Sequence, residues 1–166
     1  MNILILSHVE ASQFSPRIGG LQPCSMIRIT SWDKWLPLKF QNEFESILQV
    51  KFADVVDFED KDVFGFSKKF QRNHALEIKN FVDGLREDLD CLVIHCDAGQ
   101  SRSPATGIAI ARYLGLNDQV HSLEWNPRYM PNPRVRKILG VVMGEASYEQ
   151  QQEIYDKLWG WNRIKE

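Results

Sequence analysis

The segment His95-Cys96-Asp97-Ala98-Gly99-Gln100-Ser101-Arg102-Ser103 constrains this chain more than any other. An apolar run, Cys91-Leu92-Val93-Ile94, leads into it, and a helix-like run from Ala105 to Leu114 leads out. The first run suits a buried strand, Gly99 suits a tight turn, and Ser103-Pro104 suits a helix start with proline at the first position. Strand, short loop and helix N-terminus in that order gather loop N–H groups and the positive end of the helix dipole on one point. Such a point attracts an anion. It also favours the charged form of a thiol, and Cys96 opens the loop. Arg102 closes it with a planar fork that can grip two phosphate oxygens. These residue types at this spacing imply phosphoryl transfer, with Cys96 as nucleophile and phosphocysteine as the intermediate.

The same stretch resembles the signature loop of the cysteine-dependent protein tyrosine phosphatases. More narrowly it is similar to the dual-specificity branch, whose loop reads His-Cys-x-Ala-Gly-x-Ser-Arg-Ser; every fixed position is present here. The resemblance implies that Cys96 attacks, Arg102 clamps the phosphate, and the backbone of Asp97, Ala98, Gly99, Gln100, Ser101 and Arg102 forms the cradle. It implies that Ser103 hydrogen-bonds the sulfur and eases its departure, and that His95 sits behind the loop and supports the thiolate. It implies no cofactor and no metal. The likeness spans roughly residues 45–115. The first 40 residues lack the branch's opening Gly-Leu-x-Leu-Gly pattern, and the overall profile is similar to smaller, divergent phosphatase-like proteins of bacteria and phages.

Cleaving a phosphate ester expels an alkoxide or phenoxide, so a positioned acid is expected to protonate the leaving oxygen. Asp54, Asp57, Glu59, Asp60 and Asp62 cluster just past the strand-like run Ile47–Phe52. In the phosphatases that this chain resembles, the acid follows a strand that precedes a helix and the Cys strand. That pattern lays Asp54 on the acid position, with Asp57 as second choice. Ordinary turn chemistry is the competing account, since Asp is common after strands. The segment 58–73 is charged and turn-rich, and reads as a solvated loop or as a flap over the site.

The chain has 166 residues, enough for one domain over 1–166. Strands are expected at 2–7, 25–31, 47–52 and 91–95, the second alternating like a half-buried strand. Helices are expected over 73–87, with Ala75, Ile78, Val82 and Leu85 inward, and over 105–114, ending at Gly115. Two more should start at Asn132-Pro133, burying Val135, Ile138, Leu139 and Val142, and at Ser147. Strands alternating with helices predict an α/β fold, a mainly parallel sheet of four to five strands flanked by helices, as the resemblance also implies. Ligands in such sheets bind at the carboxyl ends of the strands, where residues 96–102 would lie.

A net charge of −2 gives no reason to expect nucleic-acid or membrane partners. Met1–Ser7 lacks a charged region and a cleavage site, so it reads as a strand rather than a signal. Cys24, Cys91 and Cys96 are too few and irregular for a disulfide framework, which suits a reducing cytoplasm. Cys91 and Cys96 should point to opposite faces of their strand, while Cys24 could reach the loop only through the fold. His8, His74 and His121 lack metal-ligand spacing. Trp32, Trp35, Trp125, Trp159 and Trp161 read as packing aromatics. Arg128, Arg134, Arg136 and Lys137 read as a basic rim for substrate or as solvated charges.

With Asp97, Gln100 and Ser101 where phosphoinositide phosphatases tend to carry lysines, a phosphotyrosine-like monoester is favoured over a polyanion. The expected partner is a phosphorylated protein or a small phosphate ester, or any oxyanion in the loop. Two further readings share the loop. One is a catalytically weak module that recognises a phosphorylated partner. The other, a rhodanese-like sulfur carrier, fits the Ala-Gly-x-Ser-Arg-Ser details poorly.

Overall fold

The computed structural model describes residues 1–56 and 69–145. Apolar runs with β-branched residues make four strands: β1 (Asn2–Ser7), β2 (Cys24–Thr30), β3 (Ile47–Lys51) and β4 (Cys91–Cys96). Among the described residues they form one sheet in the order β1-β4-β2-β3, and every neighbouring pair is parallel. Parallel strands need crossovers, and α1 (His8–Gln13) lies between β1 and β2 and α2 (Arg72–Asp83) between β3 and β4, while α3 (Arg102–Tyr113), α4 (Asn117–Glu124) and α5 (Pro133–Val142) follow β4.

Side chains alternate across the sheet, so the two faces hold different cores. On one face, Ile3, Ile5, Ile27, Ile29, Val50, Leu92, Ile94 and Cys96 pack with residues of α2, α3 and α5. On the other, Cys24, Met26, Cys91 and Val93 pack with Ala11 of α1 and with Leu38 and Phe44. His95 and Cys96 therefore face opposite layers. Cys91 and Cys96 do so as well, as the strand period requires.

β2 is not half-buried. All seven of its residues are buried, because β4 and β3 flank it and both faces are covered. Its polar members survive burial by bonding: Ser25 to Ser46, Thr30 to Asp97, and Arg28 to His95. α3 starts at Arg102 rather than 105, which puts Pro104 at the third helical position; there its missing N–H is still one the helix leaves unpaired. Ten of its twelve residues are buried, and Gly107 lets it press on β1, since a Cβ there would come within 2.8 Å of Ile5. α5 starts as expected, with Asn132 capping the Val135 N–H and Pro133 in the first turn.

Ala75, Ile78, Val82, Val135 and Leu139 are buried, and Leu85, Ile138 and Val142 pack partly against them. Two helices, α1 and α4, lie outside the expected set. α1 is too short for an apolar period, although Ser7-x-x-Glu10 forms a complete capping box. α4 buries little beyond Leu123. Trp32 and Trp125 are exposed (65% and 75%), contrary to their reading as packing aromatics, while Trp35 lies against the Arg28 guanidinium. Trp159, Trp161 and the helix expected from Ser147 lie outside the described residues. No helix among those described is long and apolar enough to cross a membrane.

Candidate active site

Because the strands are parallel, their carboxyl ends share one edge of the sheet. The residues at or just after the ends of β1, β2, β3 and β4 gather there: His8, Thr30–Ser31, Phe52–Asp54 and Cys96–Arg102. The loop after β4 turns back against the end of β1. Gly99 adopts φ +70°, and a Cβ on it would stand 2.7 Å from the Ser7 nitrogen, so only glycine fits there. Further braces come from the chain before α5: the Met130 and Asn132 N–H groups donate to the Gln100 and Ser101 carbonyls, at 2.8 and 3.1 Å. The loop is thus pinned on both sides.

Cys96 Sγ lies 3.1 Å from Ser103 Oγ, the contact that the resemblance implies. Arg102 is 4% exposed, and its guanidinium is gripped on two nitrogens. Nη1 donates to the Phe52 carbonyl at 2.9 Å and Nη2 to Asp97 Oδ2 at 2.6 Å. Its Nε is buried without a hydrogen-bond partner among the described residues. Both Cys96 and Arg102 line a cavity of about 520 Å³. Asp54, Asp97, Ala98, Gln100, Ser101 and Asn132 contribute to its lining, and Val56, Met130, Pro131 and Pro133 give it apolar walls.

Asp54 stands in this cavity, on the far side of Arg102. Its Oδ1 accepts from Ser101 Oγ at 2.8 Å and from Asn132 Nδ2 at 2.6 Å, while Oδ2 lies 3.8 Å from Arg102 Nε. Ser101, at the N-cap of α3, thus turns its hydroxyl to Asp54 instead of the helix. Asn132 is the residue that sequence reasoning missed. Its Asn-Pro pair announces a helix cap, but its amide also reaches Asp54 and the Val55 carbonyl. Asp57, Glu59, Asp60 and Asp62 lie outside the described residues, as does most of segment 58–73.

Behind the loop, on the α1 side of the sheet, Arg28 Nε donates to His95 Nε2 at 3.2 Å. That bond places the imidazole proton on Nδ1, because Nε2 serves as acceptor. Burial, then the nearby Arg28 and His8 charges, push the His95 pKa down to about 4. At neutral pH the imidazole is uncharged and lends a thiolate no positive charge, and its Nδ1 is buried without a hydrogen-bond partner among the described residues.

The other expected contributors are elsewhere. Cys24 and Cys91 sit directly opposite each other at the far end of β2 and β4. Cys96 is five residues further along β4, about 16 Å away at the usual strand rise. Neither Cys24 nor Cys91 is therefore placed to bridge to it, and contact with Cys91 together with burial holds the Cys24 thiol in its neutral form. The basic rim does not form as such. Lys137 is 2% exposed and Arg134 is buried with its Nε on the Phe70 carbonyl, while Arg128 and Arg136 pair with Glu10 and Glu124. Among the described residues no group of three or more His, Cys, Asp or Glu side chains could hold a metal ion.

Comparison with solved structures places this architecture. The chain is similar to human DUSP28, with a TM-score of 0.57 and 17% identity over 87% of this chain and 95% of that one. It is also similar to the human tyrosine phosphatase-like serine/threonine/tyrosine-interacting protein, with a TM-score of 0.55 and 20% identity over 92% of each chain. No family model matches the sequence, and no curated protein does. The fold is that of the dual-specificity-phosphatase-like, cysteine-dependent tyrosine phosphatases.

Proposed function

We propose that the chain, as one catalytic unit, hydrolyses phosphate monoesters through a phosphocysteine intermediate. The observation that carries this reading is the buried Nε of Arg102, a cationic donor without a hydrogen-bond partner among the described residues, on a side chain that lines one cavity with Cys96. A buried unpaired donor is costly, and a phosphate oxygen would satisfy it. In the first step Cys96 Sγ bonds to phosphorus, the ester P–O bond breaks, and the departing oxygen takes a proton from Asp54 Oδ2. In the second, water attacks phosphorus, Asp54 takes back a proton, the S–P bond breaks with Ser103 donating to the sulfur, and inorganic phosphate leaves.

Substrate preference follows from the cavity. Arg102 faces two carboxylates, Asp54 and Asp97, and the walls toward solvent are apolar, with Met130 72% exposed. One phosphate on an apolar or aromatic carrier suits that lining better than a polyanion. Phosphotyrosine in proteins is the favoured substrate, phosphoserine and phosphothreonine the wider one, and a reducing cytoplasm the compartment in which Cys96 stays a thiol.

A second reading is a phosphate-recognition module that turns over weakly. It draws support from the second neighbour, which is named as a phosphatase-like interacting protein.

Hydrolysis of a small aryl phosphate with chelator present, between pH 5 and 8, decides between them. Turnover that disappears in Cys96→Ser, with phosphate trapped on sulfur after an acid quench, is the expected result. In the same assay Asp54→Asn should cost about 10²–10⁴-fold with poor leaving groups and much less with good ones. Oxyanion binding without Cys96-dependent turnover would favour the recognition module.

A further inference from the structure

Asp97 immediately follows the nucleophile, and its charge would be expected to oppose a phosphate dianion. Its contacts suggest the reverse effect. Asp97 Oδ2 takes the Arg102 Nη2 hydrogen bond at 2.6 Å, while the Phe52 carbonyl takes Nη1 from another side. Asp97 is itself held from two further strand ends. Thr30 Oγ1 donates to Oδ1 and Ser31 Oγ to Oδ2, each at 3.3 Å, and His8 Nδ1 lies 4.0 Å from Oδ1. Its backbone is tied as well, since the His8 N–H donates to the Asp97 carbonyl.

We infer that Asp97 is a positioning residue: by holding Nη2 it sets the Arg102 guanidinium beforehand in an orientation that leaves Nε without a hydrogen-bond partner among the described residues, free to bind a phosphate oxygen. This inference rests on the phosphate-site reading above. An arginine side chain loses rotamer freedom when it is fixed, so holding it beforehand removes much of that cost from anion binding. Without Asp97, the guanidinium keeps only the Phe52 carbonyl and can swing toward Asp54, whose Oδ2 is already 3.8 Å from Nε. The two effects of Asp97 oppose each other: positioning strengthens phosphate binding, and its negative charge weakens it.

Titration of the full chain with tungstate, a phosphate-like oxyanion, separates them, alongside kcat and KM for an aryl phosphate. If positioning dominates, Asp97→Ala weakens tungstate binding about tenfold, the equivalent of one charge-assisted hydrogen bond. Its kcat falls more than its KM rises, because the clamp matters most as charge spreads over the phosphoryl oxygens. Asp97→Asn keeps an acceptor for Nη2 and restores most of both values. Tungstate binding that is unchanged or tighter in Asp97→Ala overturns the inference, as does Asp97→Asn behaving like the alanine variant. Should Asp97→Ala not fold, Thr30→Val loosens Asp97 from outside the cavity and must weaken tungstate in the same direction; an unchanged affinity there also overturns it. Loss of the hydrolase reading is a different result, namely no Cys96-dependent turnover by the unaltered chain, and it leaves the tungstate comparison intact. An unaltered chain that does not bind tungstate overturns both.

Discussion

At the scale of single residues, the candidate site is a set of buried polar groups held mostly by one another, with Arg102 Nε and His95 Nδ1 left without a hydrogen-bond partner among the described residues. Arg28 and His95 show the consequence most clearly. Arg28 stays charged inside the sheet because an imidazole nitrogen, a carbonyl and a tryptophan face surround it. The imidazole must remain neutral to accept, since a protonated Nε2 would point its proton at the Arg28 N–H. Burial, with the Arg28 and His8 charges beside it, lowers the His95 pKa from 6.5 to about 4 on folding. Between these values the unfolded chain binds a proton that the folded chain refuses. His95 thus contributes its stability in full above about pH 6.5, and that contribution drains away as pH falls toward 4, by about 3 kcal/mol in all. Urea denaturation at a series of pH values should show the loss, and His95→Gln, which keeps an acceptor but cannot titrate, should flatten that part of the curve. An equally steep curve in the glutamine variant would reject the account.

At the scale of elements, the start of α5 does two tasks with one side chain. Asn132 Oδ1 caps the helix, while Nδ2 holds Asp54 and the Val55 carbonyl. The two tasks separate by substitution. Asn132→Ser keeps a cap acceptor but loses the amide that holds Asp54, so the helix start stays capped while turnover of poor leaving groups drops sharply. Asn132→Ala loses both, with about 1 kcal/mol of stability lost from the cap alone. Comparable activity in the two variants and the unaltered chain would show that Asp54 needs no such support. α4 plays a quieter part: Gln119 accepts from the Ile3 N–H and donates to the Met1 carbonyl, which covers backbone groups on the outer edge of β1.

At the scale of the whole molecule, β4 is the inner strand that carries the nucleophile at its end. It has β1 on one side, β2 on the other, and all six of its residues buried. Its amides should exchange with deuterium more slowly than those of β3, which is an edge strand and half-open to solvent. Exchange in β4 as fast as in β3 would mean that the centre of the sheet opens locally. A firm inner strand ending in a pinned loop fits a site that must be shaped before its anion arrives.

Much of this architecture was legible in the chain itself. The strand at 91–96, the helix after it, the tight turn at Gly99 and the cap at Asn132 follow from neighbours a few positions apart, which local sterics and hydrogen bonding govern. The half-buried reading of β2 failed because alternation cannot reveal a partner that satisfies a buried arginine. Trp32 and Trp125 read as packing aromatics yet are exposed, because residue type alone does not say where a ring lies. For the same reason the sequence alone could nominate Cys96, Arg102 and Ser103 together, since one turn of loop and helix carries all three. Which groups hold them was decided by the tertiary structure. Ser101 meets Asp54 across 47 positions, Arg102 meets the Phe52 carbonyl across 50, and Asn132 meets Asp54 across 78. Those contacts exist only because four parallel strands bring their ends to one edge of the sheet, and no local pattern encodes a meeting at that range.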